Sequence, residues 1–263
     1  MTNNSPLVSV ITPCYNDGSF INECIESVQN CGFSNIEQII IDDGSNEETK
    51  KILDSICIPD VRIIHKINEG VCIARNVGIK EAKGKYILPI DADDILMPGF
   101  VQKAINIFED NADVRIVTGE ITQCFGKSRQ KIIASSFDMS LLLARNQVVV
   151  STMFKREDAL KVGGFDTTFN IGLEDWDFWI SLMSLGGNAI IIPGTHLLYR
   201  IKKKSRNNSF GGLNAVNQIR KKIWEKHKEL FSQYYVNPME TVEYQYASRT
   251  LFMRIKNKIL KHD

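Results

Sequence analysis

The sequence predicts an α/β fold with a mostly parallel central sheet, helices on both faces and a C-terminal helical extension. In the first 110 residues, apolar β-branched stretches alternate with segments whose apolar residues recur at helical spacing. "LVSVITPCY" and "IEQIIIDDGS" have the composition of buried strands, and the segment between them repeats Ile21, Cys24, Ile25 and Val28 on one helical face. Strands that alternate with helices favour a parallel sheet, because each helix crosses back over the sheet.

The same alternation continues through the rest of the chain. A helix around Ile52 and Leu53 precedes a third strand, "VRIIHKI", a helical "CIARNVGIKEA" and a fourth strand, "YILPI". A further helix carries Val101, Ile105 and Phe108. Later strands are predicted at "RIVTGEITQCF", "QKIIA" and "AIIIPGTHLLYRI", with a short helix at "MSLLLAR" and another that begins near Glu174. We therefore expect one main domain over residues 1–206 and two basic helices within residues 207–263.

Composition restricts the compartment and the class of protein. The 263 residues contain no apolar run long enough to cross a bilayer, and the N-terminus lacks a secretory signal. None of the cysteines forms a C-x-x-C pair, which predicts free thiols in a reducing compartment. The six are Cys14, Cys24, Cys31, Cys57, Cys72 and Cys124. These features lead us to expect a cytoplasmic protein.

A charge asymmetry separates the C-terminal part from the rest. Residues 1–199 hold 17 basic and 26 acidic side chains, whereas residues 200–263 hold 15 and 5. The basic part has apolar residues at helical spacing: Ile219, Ile223, Trp224, Leu230 and Phe231, then Leu251, Phe252, Ile255, Ile259 and Leu260. Such helices could lie on the anionic inner face of the cytoplasmic membrane. The alternative is packing against the main domain or a second subunit, as in a homodimer. Nucleic acid is not expected, since no groove-reading motif accompanies the charge.

Polar side chains follow three of the predicted strands. Tyr15 and Asn16 follow the first strand, Asp42 and Asp43 the second, and Asp91–Asp94 the fourth. If the first and fourth strands are neighbours, these ends face one crevice, where open α/β sheets bind ligands. The chain has no P-loop and no G-x-G-x-x-G. Carboxylates without those motifs suit a hard divalent cation that is held by few carboxylates together with a diphosphate. An acidic turn with a helix N-cap is the simpler alternative.

Four blocks in one order resemble the family-2 glycosyltransferases, which are inverting enzymes of the GT-A fold. The blocks are "VSVITPCYN", "IIIDDGS", "ARNVGI…GKYILPIDADD" and "GGFD…LEDWDFW", and the resemblance covers residues 7 to 202. It implies metal-dependent transfer of one hexosyl or N-acetylhexosaminyl unit from a nucleotide sugar, expected to be UDP-linked. The implied acceptor is a hydroxyl of a glycan or lipid-linked glycan in bacterial capsule, O-antigen or other surface-polysaccharide synthesis. The alternatives are a non-catalytic nucleotide-sugar binding module and a sugar-1-phosphate nucleotidyltransferase.

The resemblance assigns the donor site to residues at the strand ends. Tyr15 is expected to pack on the base beside Pro13, and Asp43 to accept a hydrogen bond from N3–H of uracil. Arg75 is expected near the nucleotide or diphosphate. Asp91 and Asp93 match the D-x-D motif. In that motif Asp93 would bind Mn²⁺ or Mg²⁺, and Asp91 would reach the metal or the ribose.

The acceptor side of the site is assigned to the fourth block. Asp175 is the predicted general base, with Glu174 as its rival, and Trp176 is a predicted acceptor contact. A helix that begins near Glu174 would stabilise these carboxylates as anions through its dipole. The alternatives are that the two acids only cap the helix and that Trp176 lies in the core.

One position departs from the family pattern. Many members place a metal- or diphosphate-binding His two residues after the Arg of a "YR" pair, where this chain has Lys202. A protonated lysine cannot bind a metal, but it pairs with phosphate as a point charge. We therefore predict that Lys202 and Lys204 neutralise the diphosphate. A solvated basic loop is the alternative.

Overall fold

The computed structural model describes residues 6–132, 136–169, 172–202 and 212–235. The described strands are β1 (Val8–Cys14), β2 (Ile36–Asp43), β3 (Val61–Lys66), β4 (Tyr86–Pro89), β5 (Ile95–Leu96), β6 (Val114–Phe125), β7 (Ser128–Ile132), β8 (Met153–Lys155) and β9 (Asn188–Arg200). The described helices are α1 (Gly18–Gln29), α2 (Glu47–Asp54), α3 (Val71–Glu81), α4 (Phe100–Asp110), α5 (Met139–Ala144), α6 (Arg156–Lys161), α7 (Glu174–Met183), α8 (Gly212–Lys226) and α9 (Lys228–Tyr234). The predicted alternation of strands and helices is confirmed.

All the described strands join one sheet, which has a parallel half and a mixed half. The strand order is β3-β2-β1-β4-β8-β6-β9-β5, and β7 pairs with β6. β3, β2, β1 and β4 run parallel, whereas β8 runs antiparallel to both β4 and β6. Ile11 of β1 lies opposite Pro89 of β4, which confirms that the first and fourth strands are neighbours. The antiparallel pairs beyond β4 were not predicted.

The register of β1 opens a crevice at the carboxyl end of the sheet. β1 pairs with β2 as far as Cys14, but with β4 only as far as Ile11. The β4 side of β1 is therefore open beyond Ile11, and the chain after Pro89 turns away there. Pro13 fits this edge because a proline has no N–H to give to a neighbouring strand.

Helices cover both faces of the sheet, as predicted. Ile11, Ile39 and Ile41 share one hydrophobic cluster with α3, α5, α7 and α8, whereas Val8 and Val10 pack against α1 and α4 on the other face. No disulfide forms among the six cysteines, all of which lie in the described part. Among the described residues, no helix combines the length and the apolarity needed to cross a membrane.

The first basic helix of the C-terminal part packs against the main domain. Ile223 is fully buried and Ile219 is 4% exposed, and both belong to the same cluster as α3 and α7. Leu230 and Phe231 pack against that cluster from α9. The expectation of a membrane-facing stripe is therefore wrong for Ile219 and Ile223, because the main domain already covers them. The second stripe, from Leu251 to Leu260, lies outside the described residues.

Ion pairs hold α8 against the start of α7. Asp177 is 1% exposed and accepts hydrogen bonds from Lys226 Nζ at 2.7 Å and from His227 Nε2 at 2.8 Å. Lys226 also pairs with Asp166 at 2.9 Å. A buried carboxylate needs such partners, because an unpaired charge in the interior is costly. The boundary predicted at residue 206 therefore does not separate α8 from the rest of the described fold.

This packing predicts different costs for two adjacent substitutions in α8. Ile223→Ala should lower the free energy of unfolding by about 2–5 kcal/mol, as expected for a truncated core side chain. Trp224→Ala should change it by less than about 1 kcal/mol, because Trp224 is 51% exposed. Urea denaturation followed by circular dichroism measures both. A larger loss for Trp224→Ala than for Ile223→Ala would contradict the packing of this helix.

Candidate active site

A buried arginine connects the acids that follow β4 with the acids at the start of α7. Arg75 lies on α3 and is 3% exposed. Its Nη2 donates to Asp91 Oδ1 at 2.9 Å, and its Nη1 donates to Glu174 Oε1 at 2.9 Å. Its guanidinium also lies 5.3 Å from the centre of the Phe165 ring. The end of β4 and the start of α7 therefore face each other across one guanidinium.

Close packing of α3 on β1 positions this arginine. A Cβ at Gly78 of α3 would lie 2.3 Å from Cγ2 of Ile11, so only glycine allows this approach. Ile11 is the last β1 residue that pairs with β4, so the helix is held tightly where the crevice opens. The glycine follows Arg75 by three residues in the "ARNVGI" block.

Asn76, the residue after Arg75, holds the loop that precedes the acidic helix. Its Nδ2 donates to the Phe165 carbonyl at 2.7 Å, and its Oδ1 accepts from Phe165 N at 2.8 Å. A Cβ at Gly164, whose φ is +78°, would lie 2.4 Å from this Oδ1. Asn76 was not among the predicted site residues. The signal available in the sequence was its position directly after Arg75 and before the "GGFD" block.

Asp175 lies at the start of α7 and remains partly exposed. Its Oδ2 accepts from Asn146 Nδ2 at 2.9 Å, and its Oδ1 accepts from the Trp176 amide at 2.8 Å. Burial, together with the adjacent Glu174 carboxylate, raises the pKa of Asp175 to about 6. The helix dipole was expected to stabilise this carboxylate as an anion, and the raised pKa runs opposite to that effect. The desolvation of this carboxyl and the repulsion from Glu174 outweigh the stabilisation by the helix terminus.

The acids after β4 differ in their surroundings. Asp91 has a 30% exposed side chain and Asp93 a 15% exposed one, whereas Asp94 is buried and accepts from the Arg200 amide through Oδ1. Burial and the Asp91 carboxylate raise the pKa of Asp93. Burial and both neighbouring carboxylates raise the pKa of Asp94 well above its usual range. Asp91 and Asp93, which match the D-x-D motif, are thus the acids that reach the crevice.

These two carboxylates fit a divalent cation. In the described part of the chain, ion pairs engage Oδ1 of Asp91 and Oδ2 of Asp93, which leaves the second oxygen of each for a ligand. No group of three or more His, Cys, Asp or Glu side chains among the described residues forms a complete metal cage. Mg²⁺ in particular is often held by one or two carboxylates, with the other positions filled by water and substrate phosphates. The pair matches that arrangement.

Lys202 lies against the D-x-D acids. Its Nζ lies 2.6 Å from Asp17 Oδ1 and 2.8 Å from Asp93 Oδ2. It also lies 5.4 Å from the centre of the Phe20 ring. The predicted alternative of a solvated lysine is therefore wrong for Lys202. Lys204, the other lysine predicted at the diphosphate, lies outside the described residues.

The strand ends of β1 and β2 form the opposite side of the crevice. Tyr15 is 53% exposed, and Asn16 beside it has a φ of 60°. Asn16 Oδ1 accepts from the Asn46 amide at 2.7 Å, so this left-handed turn joins the loops after the two strands. The ring of Tyr15 is thereby presented to solvent on a fixed backbone, as the predicted packing against a base requires.

Asp43 is held by the last residue of β3 and by the loop between β3 and α3. Its Oδ1 accepts from Lys66 Nζ at 2.6 Å and from the Glu69 amide at 3.0 Å, and its Oδ2 accepts from the Gly70 amide at 2.8 Å. A carboxylate has about four acceptor positions, so one remains for a donor such as N3–H of uracil. The predicted role of Asp43 fits this geometry and stays a prediction.

Trp176 lies in the core, which corrects its assignment as an acceptor contact. Its side chain is 4% exposed, and its indole N–H donates to the Leu142 carbonyl at 2.6 Å. A sugar-binding platform needs an exposed aromatic face, which Trp176 does not have. Its alternative assignment as a core residue is confirmed.

The fold and this arrangement of acids define a GT-A glycosyltransferase, and comparisons with known proteins give its family. The sequence pattern described as "Glycosyl transferase family 2" matches residues 9–177. An uncharacterised glycosyltransferase of Haemophilus influenzae is 32% identical over 186 residues, which are 68% of this chain and 73% of that protein. Glycosyltransferase GlyG of Streptococcus pneumoniae is 39% identical over 43% of this chain and 38% of its own length. The chain therefore belongs to glycosyltransferase family 2.

Solved structures agree with this fold. S. aureus TarS 1-349 in complex with UDP-GlcNAc superposes with a TM-score of 0.66 at 16% identity, over 77% of this chain and 60% of that chain. The complex of the same TarS fragment with UDP gives a TM-score of 0.63 at 16% identity, over 74% and 60% of the two chains. The likeness confirms the predicted GT-A fold.

Proposed function

We propose that the protein transfers one sugar from a UDP-sugar to a hydroxyl of a glycan or lipid-linked glycan, with inversion at the anomeric carbon. The transferred unit would be a hexose or an N-acetylhexosamine. The proposed setting is bacterial surface-polysaccharide synthesis at the cytoplasmic side of the membrane. Family membership supports the reaction class, and the UDP and UDP-GlcNAc complexes of TarS support a uracil nucleotide.

The observation that carries the proposal is the bridge through Arg75. The guanidinium contacts Asp91 of the D-x-D block and Glu174 of the acidic helix at equal distances of 2.9 Å. A displacement at the anomeric carbon needs the leaving diphosphate on one side and a proton acceptor on the other. The bridge supports the proposal because it joins the chain segment that carries Asp91 and Asp93 to the start of α7, where the proposed base Asp175 follows Glu174.

On the donor side, Tyr15 and Asp43 would bind the base, and Asp91 and Asp93 would face the diphosphate. Mn²⁺ or Mg²⁺, when bound by Asp91 and Asp93, would supply Lewis-acid stabilisation of the charge on the leaving group. Lys202 carries a positive charge at the same edge. These residues would bind and orient the donor without forming a covalent bond to it.

On the acceptor side, Asp175 would take the proton of the attacking hydroxyl. The hydrogen bond from Asn146 fixes Oδ2, and the Trp176 amide fixes Oδ1, so the carboxylate has a defined orientation. A pKa near 6 matches a base that is ionised at neutral pH and still accepts a proton effectively. Glu174 is less suited, because it is 3% exposed and its Oε1 is paired with Arg75.

The donor and metal requirements are tested with a panel of nucleotide sugars. Calorimetry with UDP, GDP and CDP should show the tightest binding for UDP, because Asp43 offers an acceptor to uracil N3–H. Release of UDP from the matching UDP-sugar should need Mn²⁺ or Mg²⁺ and should be lost in excess chelator. Equal affinity for the three nucleotides would contradict the uracil assignment. Full turnover in chelator would contradict the metal role.

The base assignment is tested with two isosteric substitutions at adjacent positions. Asp175→Asn should lower the transfer rate about 10²–10⁴-fold, the usual range for general acid–base catalysis. It should leave UDP affinity within about twofold, since the base acts on the acceptor. Glu174→Gln is the matched control for the loss of a neighbouring charge. An inactive Glu174→Gln with an active Asp175→Asn would reverse the assignment.

The raised pKa of Asp175 predicts a pH dependence of transfer. The base works only when it is ionised, so the rate should rise with pH, reach half its plateau near pH 6 and level off above it. The residual activity of Asp175→Asn should lack this rise. Rates at saturating donor between pH 5 and 8 measure the effect. A rate that stays flat between pH 5 and 8 would show that an ordinary carboxyl pKa governs the step.

A further inference from the structure

Backbone hydrogen bonds position Lys202 at the crevice at the carboxyl end of the sheet, where the donor is proposed to bind. The Arg200 amide donates to Asp94 Oδ1 at 2.9 Å, and the Ile201 amide donates to the Cys124 carbonyl at 3.0 Å. These two bonds fix the chain just before Lys202, at the end of β9. Arg200 also pairs with Glu23 of α1 at 2.8 Å and lies over the Phe20 ring at 4.5 Å. The backbone that leads to Lys202 is therefore held in place beside Asp91 and Asp93.

The ammonium of Lys202 lies next to the position at which a divalent cation would bind Asp93. It is 28% exposed and lies between Asp17 and Asp93, at 2.6 and 2.8 Å. An ammonium this close to the carboxylate repels a divalent cation at the same group. It has no lone pair while protonated, so it cannot share the metal as a histidine would.

We propose that Lys202 is an exchangeable internal cation that determines the order of binding in the donor crevice. In the donor-free protein it neutralises Asp17 and Asp93 and keeps the affinity for a divalent cation low. When a nucleoside diphosphate binds, its phosphate oxygens draw the ammonium away from Asp93, and that carboxylate becomes available to the metal. The inference rests on the proposed function and adds that metal and diphosphate bind cooperatively through this one side chain.

The chemistry of the exchange needs no change in covalent bonding. The ammonium gives up the ion pair to Asp93 and forms one to a phosphate oxygen, a partner of the same charge sign. Lysine suits this exchange, because its flexible stem lets a compact charge move between anions. Binding free energies are reciprocal, so the metal must then raise the affinity for the diphosphate by the same factor.

The test measures Mn²⁺ and UDP binding separately, without turnover. In Lys202→Met, Mn²⁺ should bind the nucleotide-free protein about 5–150-fold more tightly than it binds the wild type, the usual range of coupling between two sites. UDP without metal should bind more weakly than to the wild type, because a phosphate contact is lost. Calorimetry gives both affinities, and electron paramagnetic resonance of free Mn²⁺ checks the first. These opposite changes are not expected from a general loss of folding.

The matched control is Lys103→Met on α4, which removes the same charge from an exposed position and should leave both affinities unchanged. Lys202→Gln provides a second variant of different polarity if Lys202→Met folds poorly. Unchanged or weaker Mn²⁺ binding in both Lys202 variants, with UDP still bound by the wild type, would overturn only this inference. A wild type that binds neither UDP nor Mn²⁺ together with UDP would overturn the proposed function and the inference with it.

Discussion

The site depends on one buried cation. Arg75 is 3% exposed, and each of its terminal nitrogens contacts a carboxylate at 2.9 Å. A guanidinium suits this task because its flat fork gives two directed hydrogen bonds at once and stays charged when buried. If either acid were missing, the remaining charges would be poorly compensated in a low-dielectric setting. The bridge thus makes the position of α7 depend on the position of the chain after β4.

That bridge also accounts for the unequal acids on α7. Glu174 is bound to Arg75, and its charge adds to burial in raising the pKa of Asp175. The two adjacent carboxylates therefore have different surroundings, and that of Asp175 suits the proton transfer proposed for it. Environments that separate the properties of two nearby acids are a common way to assign acid–base roles.

Much of this architecture could be predicted from the sequence, and the missing parts have physical reasons. The parallel strands, the crevice and the start of α7 at Glu174 follow from periodicity and from polar residues at strand ends. β5 and β8 have two and three residues, which is too short for a period to be visible. The contact of Asn76 with Phe165 spans 89 positions, and no local pattern reports a contact at that separation. The ion pair of Lys202 with Asp93 was hidden for the same reason.

The four residues of "EDWD", which form the first turn of α7, lie in four different surroundings. Successive residues of an α-helix point about 100° apart, so four positions cover the whole circumference. Here Glu174 meets Arg75 and Asp175 is bound by Asn146, whereas Trp176 donates to the Leu142 carbonyl in the core. Asp177 pairs with Lys226 and His227 of the C-terminal part.

Sequence reasoning treated Glu174 and Asp175 as rivals for one role, because a linear pattern does not show the direction in which each side chain points. In three dimensions the same turn carries the candidate base, contacts Arg75 on the donor side and pairs with Lys226 of α8. The basic helix α8, whose composition differs from that of the main domain, is thus attached to α7, the helix that carries the proposed base. Its Lys226 compensates a buried acid of that element, Asp177, which gives a local reason for part of the charge asymmetry between the two parts of the chain.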